Sequence, residues 1–281
     1  MICDMVKPSI GVLTAITDQH LSLFGDITQT QEAKYELLRS LPTNGLSVVN
    51  IDNKYCREFL HELKTNIATF GVENELTPTC LIKDVAASME GITCSGMMDK
   101  KMWNLTAPLV GAHNAVNLAP CLLIAHHLGM NDTDIAEQCK TLKLPDKTMK
   151  IYKYGSSTVI DDSYNANYDG FCAALDTLSA FPSKFKIVIT NGIPELGKKS
   201  FETHEKIGEE ISYTSDILVV VNKDFYEPLK KGVGEKFKTK VYLIEEADKL
   251  ENFIDEFKDK DAVILIESRI QKSVYDKIIG L

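Results

Sequence analysis

The sequence predicts an α/β protein whose sheets are largely parallel. Segments of β-like and α-like pattern alternate along most of the chain, the order that parallel strands joined by helical crossovers produce. The rhythm breaks at residues 144–150 (LPDKTMK), where proline and charge interrupt the periodicity, and then restarts. With 281 residues, against ~150 per domain, the chain has room for two domains, and the boundary is expected near residue 147.

In the first half, 10–16 (IGVLTAI) reads as a buried strand, 29–40 as a helix and 46–51 (LSVVNI) as a second buried strand. Residues 55–64 have a helical pattern and 67–70 form a short strand. Residues 78–107 carry β-rich pieces and Gly/Ser turns without a long amphipathic period, which predicts antiparallel strands. Two helices follow at 112–128 and 132–142, with Gly129 at the end of the first and Asn131 or Asp132 capping the second. In the second half, strands are expected at 158–161, 185–190, 217–221, 241–244 and 262–266, with helices at 168–181 and 204–213 and further helices between and after the later strands.

Charge and composition narrow the function classes. Lys and Arg number 31 against 40 Asp and Glu, and there is no basic block to attract nucleic acid or an anionic membrane. The longest apolar stretch, 118–130 (LAPCLLIAHHLGM), is too short to span a bilayer and contains two histidines. No basic region followed by an apolar run opens the sequence, so no signal peptide is expected. The seven cysteines are scattered, odd in number and never arranged as CxxC, which reads as reduced thiols in a cytoplasmic protein.

Four segments carry possible chemistry. Gly192 to Lys199 (GIPELGKK) fits the GxxxxGK of a phosphate-binding loop, but Lys199 stands where a hydroxyl should meet Mg²⁺, and Glu195 would put a carboxylate in the phosphate cradle. It reads as a charged strand-to-helix loop. In 159–167 (VIDDSYNAN), an apolar strand ends in two acids at the sheet's carboxyl edge, where open α/β sheets bind ligands. Asp161, Asp162, Tyr164, Asn165 and Asn167 could contact sugar hydroxyls, phosphates or a metal there, or simply form an Asx-rich turn that caps a helix. Asn114 and Asn117, three apart at the start of a helix, share a face and could present amides to one planar base. His20 follows the first strand, and Lys34 lies in the helix after it; the default for such a lysine is a solvated side chain.

In their order, TAITDQHLSLFG, EAKYEL, GAHNAVNLAPCLLIA, DDSYNANYDGFCAALDTL and ELGKKSFETH resemble the Mur ligases over nearly the whole chain, most closely those that add D-alanyl-D-alanine to UDP-N-acetylmuramoyl-tripeptide. The resemblance implies the C-terminal part of the family's central ATPase domain over 1–147, mostly parallel with a small antiparallel part, and a Rossmann-like C-terminal domain over 148–281. It implies an ATP-dependent amide ligase of peptidoglycan precursor synthesis, acting through an acyl phosphate, with Mg²⁺ as cofactor. His20 matches the histidine near the metal, and Lys34 matches the lysine that is carbamylated into a metal-ligating carboxylate. Asn114 and Asn117 match the adenine-contacting HNxxN. Asp162, Tyr164, Asn165 and Asn167 match the loop that closes over nucleotide and dipeptide, and Glu195, Leu196 and Gly197 match the family's ELG at the substrate.

The family's Gly-Lys-Thr ATP loop, a metal-ligating Glu and the UDP-sugar domain lie upstream of the matched stretch. Thr148 stands at the position of a family arginine, beside Lys147, whose ammonium lacks the planar fork, and Tyr168 stands in place of a proline. Two readings follow. In the first, the chain is one part of a ligase, completed by a complementary polypeptide bearing the ATP loop and UDP-binding domain. In the second, it is a non-catalytic paralogue that binds a nucleotide or a partner. For the chain alone, the expectations are an uncovered first strand with self-association, weak ATP binding, and an unmodified, largely solvated Lys34.

Overall fold

The computed structural model describes residues 2–17, 26–183, 185–235 and 238–280. The chain divides into two compact units, Met1–Lys143 and Leu144–Leu281. Each contains one six-stranded sheet.

The first unit opens with a short helix, α1 (Ile2–Val6), and strand β1 (Ile10–Leu13). Helix α2 (Ile27–Arg39) is capped by Asp26, whose Oδ1 accepts the Gln29 N–H at 2.9 Å. Strands β2 (Leu46–Asn50) and β3 (Asn66–Gly71) flank the short helix α3 (Lys54–Arg57). Strands β4 (Cys80–Ser88), β5 (Gly91–Met98) and β6 (Lys101–Ala107) then turn back on one another. The sheet order is β1-β2-β3-β4-β5-β6, parallel from β1 to β4 and antiparallel from β4 to β6. The mostly parallel sheet with an antiparallel extension is thus present. Tyr35 and Leu38 of α2 pack with Leu13, Val49 and Cys56, all nearly inaccessible, and so fix α2 over β1 and β2. Helix α4 (Asn114–His127) packs against β2, β3, β4 and β5, and α5 (Asp132–Cys139) against β6. Gly129 has φ +86°, and Asn131 caps α5 by accepting the Asp134 N–H.

The second unit begins with β7 (Lys150–Tyr154), which runs antiparallel to β8 (Ser157–Asp162). Then come α6 (Tyr168–Ala180), β9 (Phe185–Thr190), α7 (Ser200–Thr214), β10 (Ile217–Val220), α8 (Lys223–Val233), β11 (Lys240–Leu243), α9 (Ala247–Asp255), β12 (Ala262–Glu267) and α10 (Lys272–Ile279). The order is β11-β10-β9-β12-β8-β7, with β12 inserted between β8 and β9 in parallel register. Val159, Ile187, Ile189, Ile264 and Ile266 share a core with Leu250, Ile254, Val274 and Ile278 of α9 and α10. Their neighbours Ile160, Val188, Val263 and Leu265 point the other way and are equally buried. Both faces of this sheet are therefore covered, as a parallel sheet requires.

Some boundaries differ from expectation. The helix expected over 55–64 is α3 plus a separate 3-10 turn, Leu60–Glu62. Strand β7 was not anticipated, since KIYKY offers lysines where a buried strand would be apolar; it lies at the sheet edge, where those lysines reach water.

Candidate functional site

The candidate residues cluster near the carboxyl ends of strands in both units. In the first unit, β1 runs into Ala15 and Ile16, and three side chains hold this turn. Lys34 Nζ donates to the Ala15 carbonyl at 2.9 Å, and Asn53 Nδ2 donates to the Ile16 carbonyl at 3.1 Å. The buried Cys56 side chain packs in the same core cluster as Ile16. Lys34 is half-buried rather than solvated, which corrects the expectation, and burial pulls its pKa below the ordinary lysine value. Tyr35, its neighbour on α2, is fully buried, so α2 cannot roll to release Lys34. His20 lies outside the described residues.

At the start of α4, Asn114 is buried and Asn117 exposed. Asn114 Nδ2 donates to the Val110 carbonyl at 2.7 Å, and its Oδ1 accepts from Asn117 Nδ2 at 3.1 Å. The two do share a face, but the Asn114 amide is spent inside the protein. Asn117 keeps a carbonyl oxygen and a second N–H by the inventory of a primary amide.

In the second unit, the acids ending β8 diverge, because alternate residues of a strand point to opposite faces. Asp161 is fully buried: Oδ1 accepts from Ser163 N and Oγ, at 3.2 and 2.6 Å, and Oδ2 accepts from the Tyr275 hydroxyl at 2.7 Å. Lys147 holds its ammonium 4.4 Å from the Tyr275 ring centroid. Asp162, on the other face, accepts the Met149 N–H at 3.2 Å. Burial pushes its carboxyl up to about 6. Tyr164 and Asn165 are exposed, and the Tyr164 N–H donates to Lys147 O at 3.0 Å. Asn167 caps α6, its Oδ1 accepting the Gly170 N–H at 2.9 Å, so the capping reading holds for this residue.

The loop between β9 and α7 is held from beneath by a residue the sequence reading did not single out. His204 is fully buried; Nε2 accepts the Ile193 N–H at 2.9 Å, and Nδ1 donates to Ser200 O at 2.6 Å. These bonds define the tautomer, and burial lowers the imidazole pKa, keeping it neutral. Phe225 stacks on the ring at 4.4 Å between centroids. Gly192, at φ +72°, passes so close that a Cβ would lie 2.4 Å from Phe225 and 2.8 Å from His204 Nε2. Above this support, Leu196 is buried, while Glu195 (φ +64°) and Gly197 (φ +56°) are exposed. Glu267 was also missed. It ends β12, one residue beyond the expected strand, and is 1% exposed beside Asp162.

Residues 1–125 match the Mur ligase middle domain, and residues 149–269 match the Mur ligase glutamate ligase domain. The UDP-N-acetylmuramoyl-tripeptide–D-alanyl-D-alanine ligase of Haemophilus influenzae is 24% identical over 280 residues, covering 98% of this chain and 56% of that protein. Among solved structures, MurF from Acinetobacter baumannii superposes with a TM-score of 0.85 at 20% identity, over 99% of this chain and 61% of that one. MurF ligase from Thermotoga maritima, in complex with ADP, gives 0.80 at 22% identity, over 99% and 62%. The chain thus spans little more than half the length of these relatives. No described helix is long and apolar enough to cross a membrane. Its two units are the middle and C-terminal domains of the Mur ligases, and the chain belongs to that family.

Proposed function

We propose that this chain is the adenine-, metal- and acceptor-binding portion of an ATP-dependent, cytoplasmic ligase that adds D-alanyl-D-alanine to a UDP-MurNAc-peptide. In this reaction a substrate carboxylate attacks the γ-phosphoryl of ATP to give an acyl phosphate and ADP. The dipeptide amine then attacks the acyl carbon, and phosphate leaves the tetrahedral intermediate. ATP supplies the phosphoryl group and Mg²⁺ offsets its charge; the ATP loop comes from outside these 281 residues, in the same polypeptide or a complementary one.

The observation that carries the reading is Lys34. A carbamate forms on the neutral amine, and half-burial already disfavours the ammonium. Among the described residues, no group of three or more His, Cys, Asp or Glu side chains is arranged to hold a metal. Mg²⁺ prefers oxygen ligands, which a Lys34 carbamate would supply together with donors from the upstream segment, and the resemblance assigns His20 to the neighbourhood of the metal. Asn117 offers adenine an acceptor and a donor, with Asn114 fixing its orientation. By the resemblance, Asp162, Tyr164 and Asn165 belong to the loop that acts on nucleotide and dipeptide, with Asn167 capping the helix that follows. Glu195, Leu196 and Gly197 form the substrate loop, with Leu196 as its buried anchor.

The alternative, a non-catalytic paralogue that binds a nucleotide or partner, draws on Thr148 in place of the family arginine and on a Lys147 engaged with Tyr275. D-alanyl-D-alanine addition by the protein completed with its ATP loop separates the two, since a paralogue forms no product, and Lys34→Ala in that protein then tests the assigned role. The ligase reading expects loss of D-alanyl-D-alanine addition that bicarbonate does not restore. Full activity of the variant would leave Lys34 a structural lysine.

A further inference from the structure

Glu267 and Asp162 are register partners on adjacent parallel strands and so project side by side from one face of the sheet. Glu267 is 1% exposed, and among the described residues no donor reaches either of its oxygens. Its neighbour on that face is the Asp162 carboxyl, its register partner, which acts on it electrostatically. Two ionised carboxylates are both acceptors and repel; two carboxyls in contact need a proton between them. We propose that Glu267 is held as the neutral acid and donates its proton to Asp162, making it a positioning residue for the nucleotide-facing end of β8. The positioning role rests on the function proposed above; the shared proton does not.

The asymmetry of the pair decides which partner keeps the proton. Asp162 also accepts the Met149 N–H, which stabilises its charge, while Glu267 has nothing else to stabilise an ionised form. Burial and the neighbouring Asp162 accordingly raise Glu267 well above the ordinary glutamate range, whereas the hydrogen bond from Glu267 lowers Asp162. The other charged group acting on the pair is Asp161, one residue back on β8, which is engaged by Tyr275 with Lys147 over the ring. On the β9 side, Glu267 meets Thr190, whose Oγ1 accepts the Gly192 N–H at 2.9 Å. A neutral Glu267 therefore leaves Asp162 ionised at neutral pH, in one orientation, with Met149 pinned to it.

The test compares the 281-residue chain with Glu267→Gln and Glu267→Leu. A glutamate whose pKa is higher folded than unfolded takes up a proton on folding, so its contribution is full below the unfolded value and is lost as pH rises. Above the ordinary glutamate range the wild-type folding constant should fall as pH rises relative to Glu267→Gln, by up to about tenfold per pH unit for the one extra proton held by the folded state. His204 and Asp161 are common to both proteins and cancel. Equal pH slopes would overturn the shared proton. The Gln amide can still donate to Asp162, so hydrogen exchange of the Met149 amide should stay slow in Glu267→Gln and quicken in Glu267→Leu. Unchanged Met149 exchange in Glu267→Leu would overturn the positioning role; if that variant does not fold, accelerated exchange in Glu267→Gln would do so. None of these readouts depends on ligase activity, so failure of the proposed function leaves them intact.

Discussion

Replacing His204 by leucine tests how the substrate loop is supported. Leucine keeps much of the volume and removes both ring nitrogens. The Ile193 N–H, on a residue 2% exposed, then loses its acceptor, and an unpartnered buried donor costs about 1–3 kcal/mol. Loss of the Nδ1–H bond to Ser200 O adds about 0.5–1.5 kcal/mol, and loss of ring stacking on Phe225 a similar amount. Leucine's own burial offsets part of this, leaving an expected loss of about 2–4 kcal/mol. Urea unfolding of the chain, followed by circular dichroism, measures it, and the Ile193 amide should exchange faster. The pH dependence provides a second check. A histidine buried neutral has a lowered pKa, so its stabilisation is present above the unfolded value of about 6.5 and is lost as pH falls. His204→Leu should lack that acid-side loss. A change below about 0.5 kcal/mol, with unaltered Ile193 exchange, would refute the reasoning, since surface substitutions already reach that size.

Two further outcomes concern the chain on its own. ATP should bind weakly, because the family's phosphate-binding loop is expected outside these 281 residues; micromolar, Mg²⁺-dependent binding by calorimetry would point to another phosphate site. Strand β1 has no partner on its outer side among the described residues, and Ile2, Met5 and Val6 before it are exposed, so light scattering should detect self-association, whereas a monodisperse monomer would count against an open edge.

Much of the fold was legible because its strands are buried on both faces and read as apolar runs: LSVVN, FKIVIT and AVILI need no context to be recognised. Strand β7 was not, because an edge strand tolerates lysines that no buried strand would. The candidate positions were legible where a motif names the residue, as for Asn114 and Asn117, but how they divide their hydrogen bonds was not. That Asn114 spends its amide on Val110 depends on a loop packed behind the helix. Lys34 looked solvated because nothing in its own helix engages it; its ammonium is taken up by the carbonyl of Ala15, nineteen positions away. His204 sat within the quoted ELGKKSFETH, yet nothing local distinguishes it from a surface histidine. Glu267 did carry a signal: an acid ending an apolar run, the same pattern that drew attention to Asp162.

On the function proposed above, these two domains become a D-alanyl-D-alanine ligase once the ATP loop and UDP-sugar domain are supplied, either in one longer chain or as a second polypeptide. The most direct measurement is product analysis by mass spectrometry on that completed protein with ATP, Mg²⁺, UDP-MurNAc-tripeptide and D-alanyl-D-alanine. One UDP-MurNAc-pentapeptide should form per ADP released, with no product when these two domains are left out. A correctly folded, nucleotide-binding assembly that forms no peptide bond would contradict it and leave the chain a binding protein built on a ligase fold.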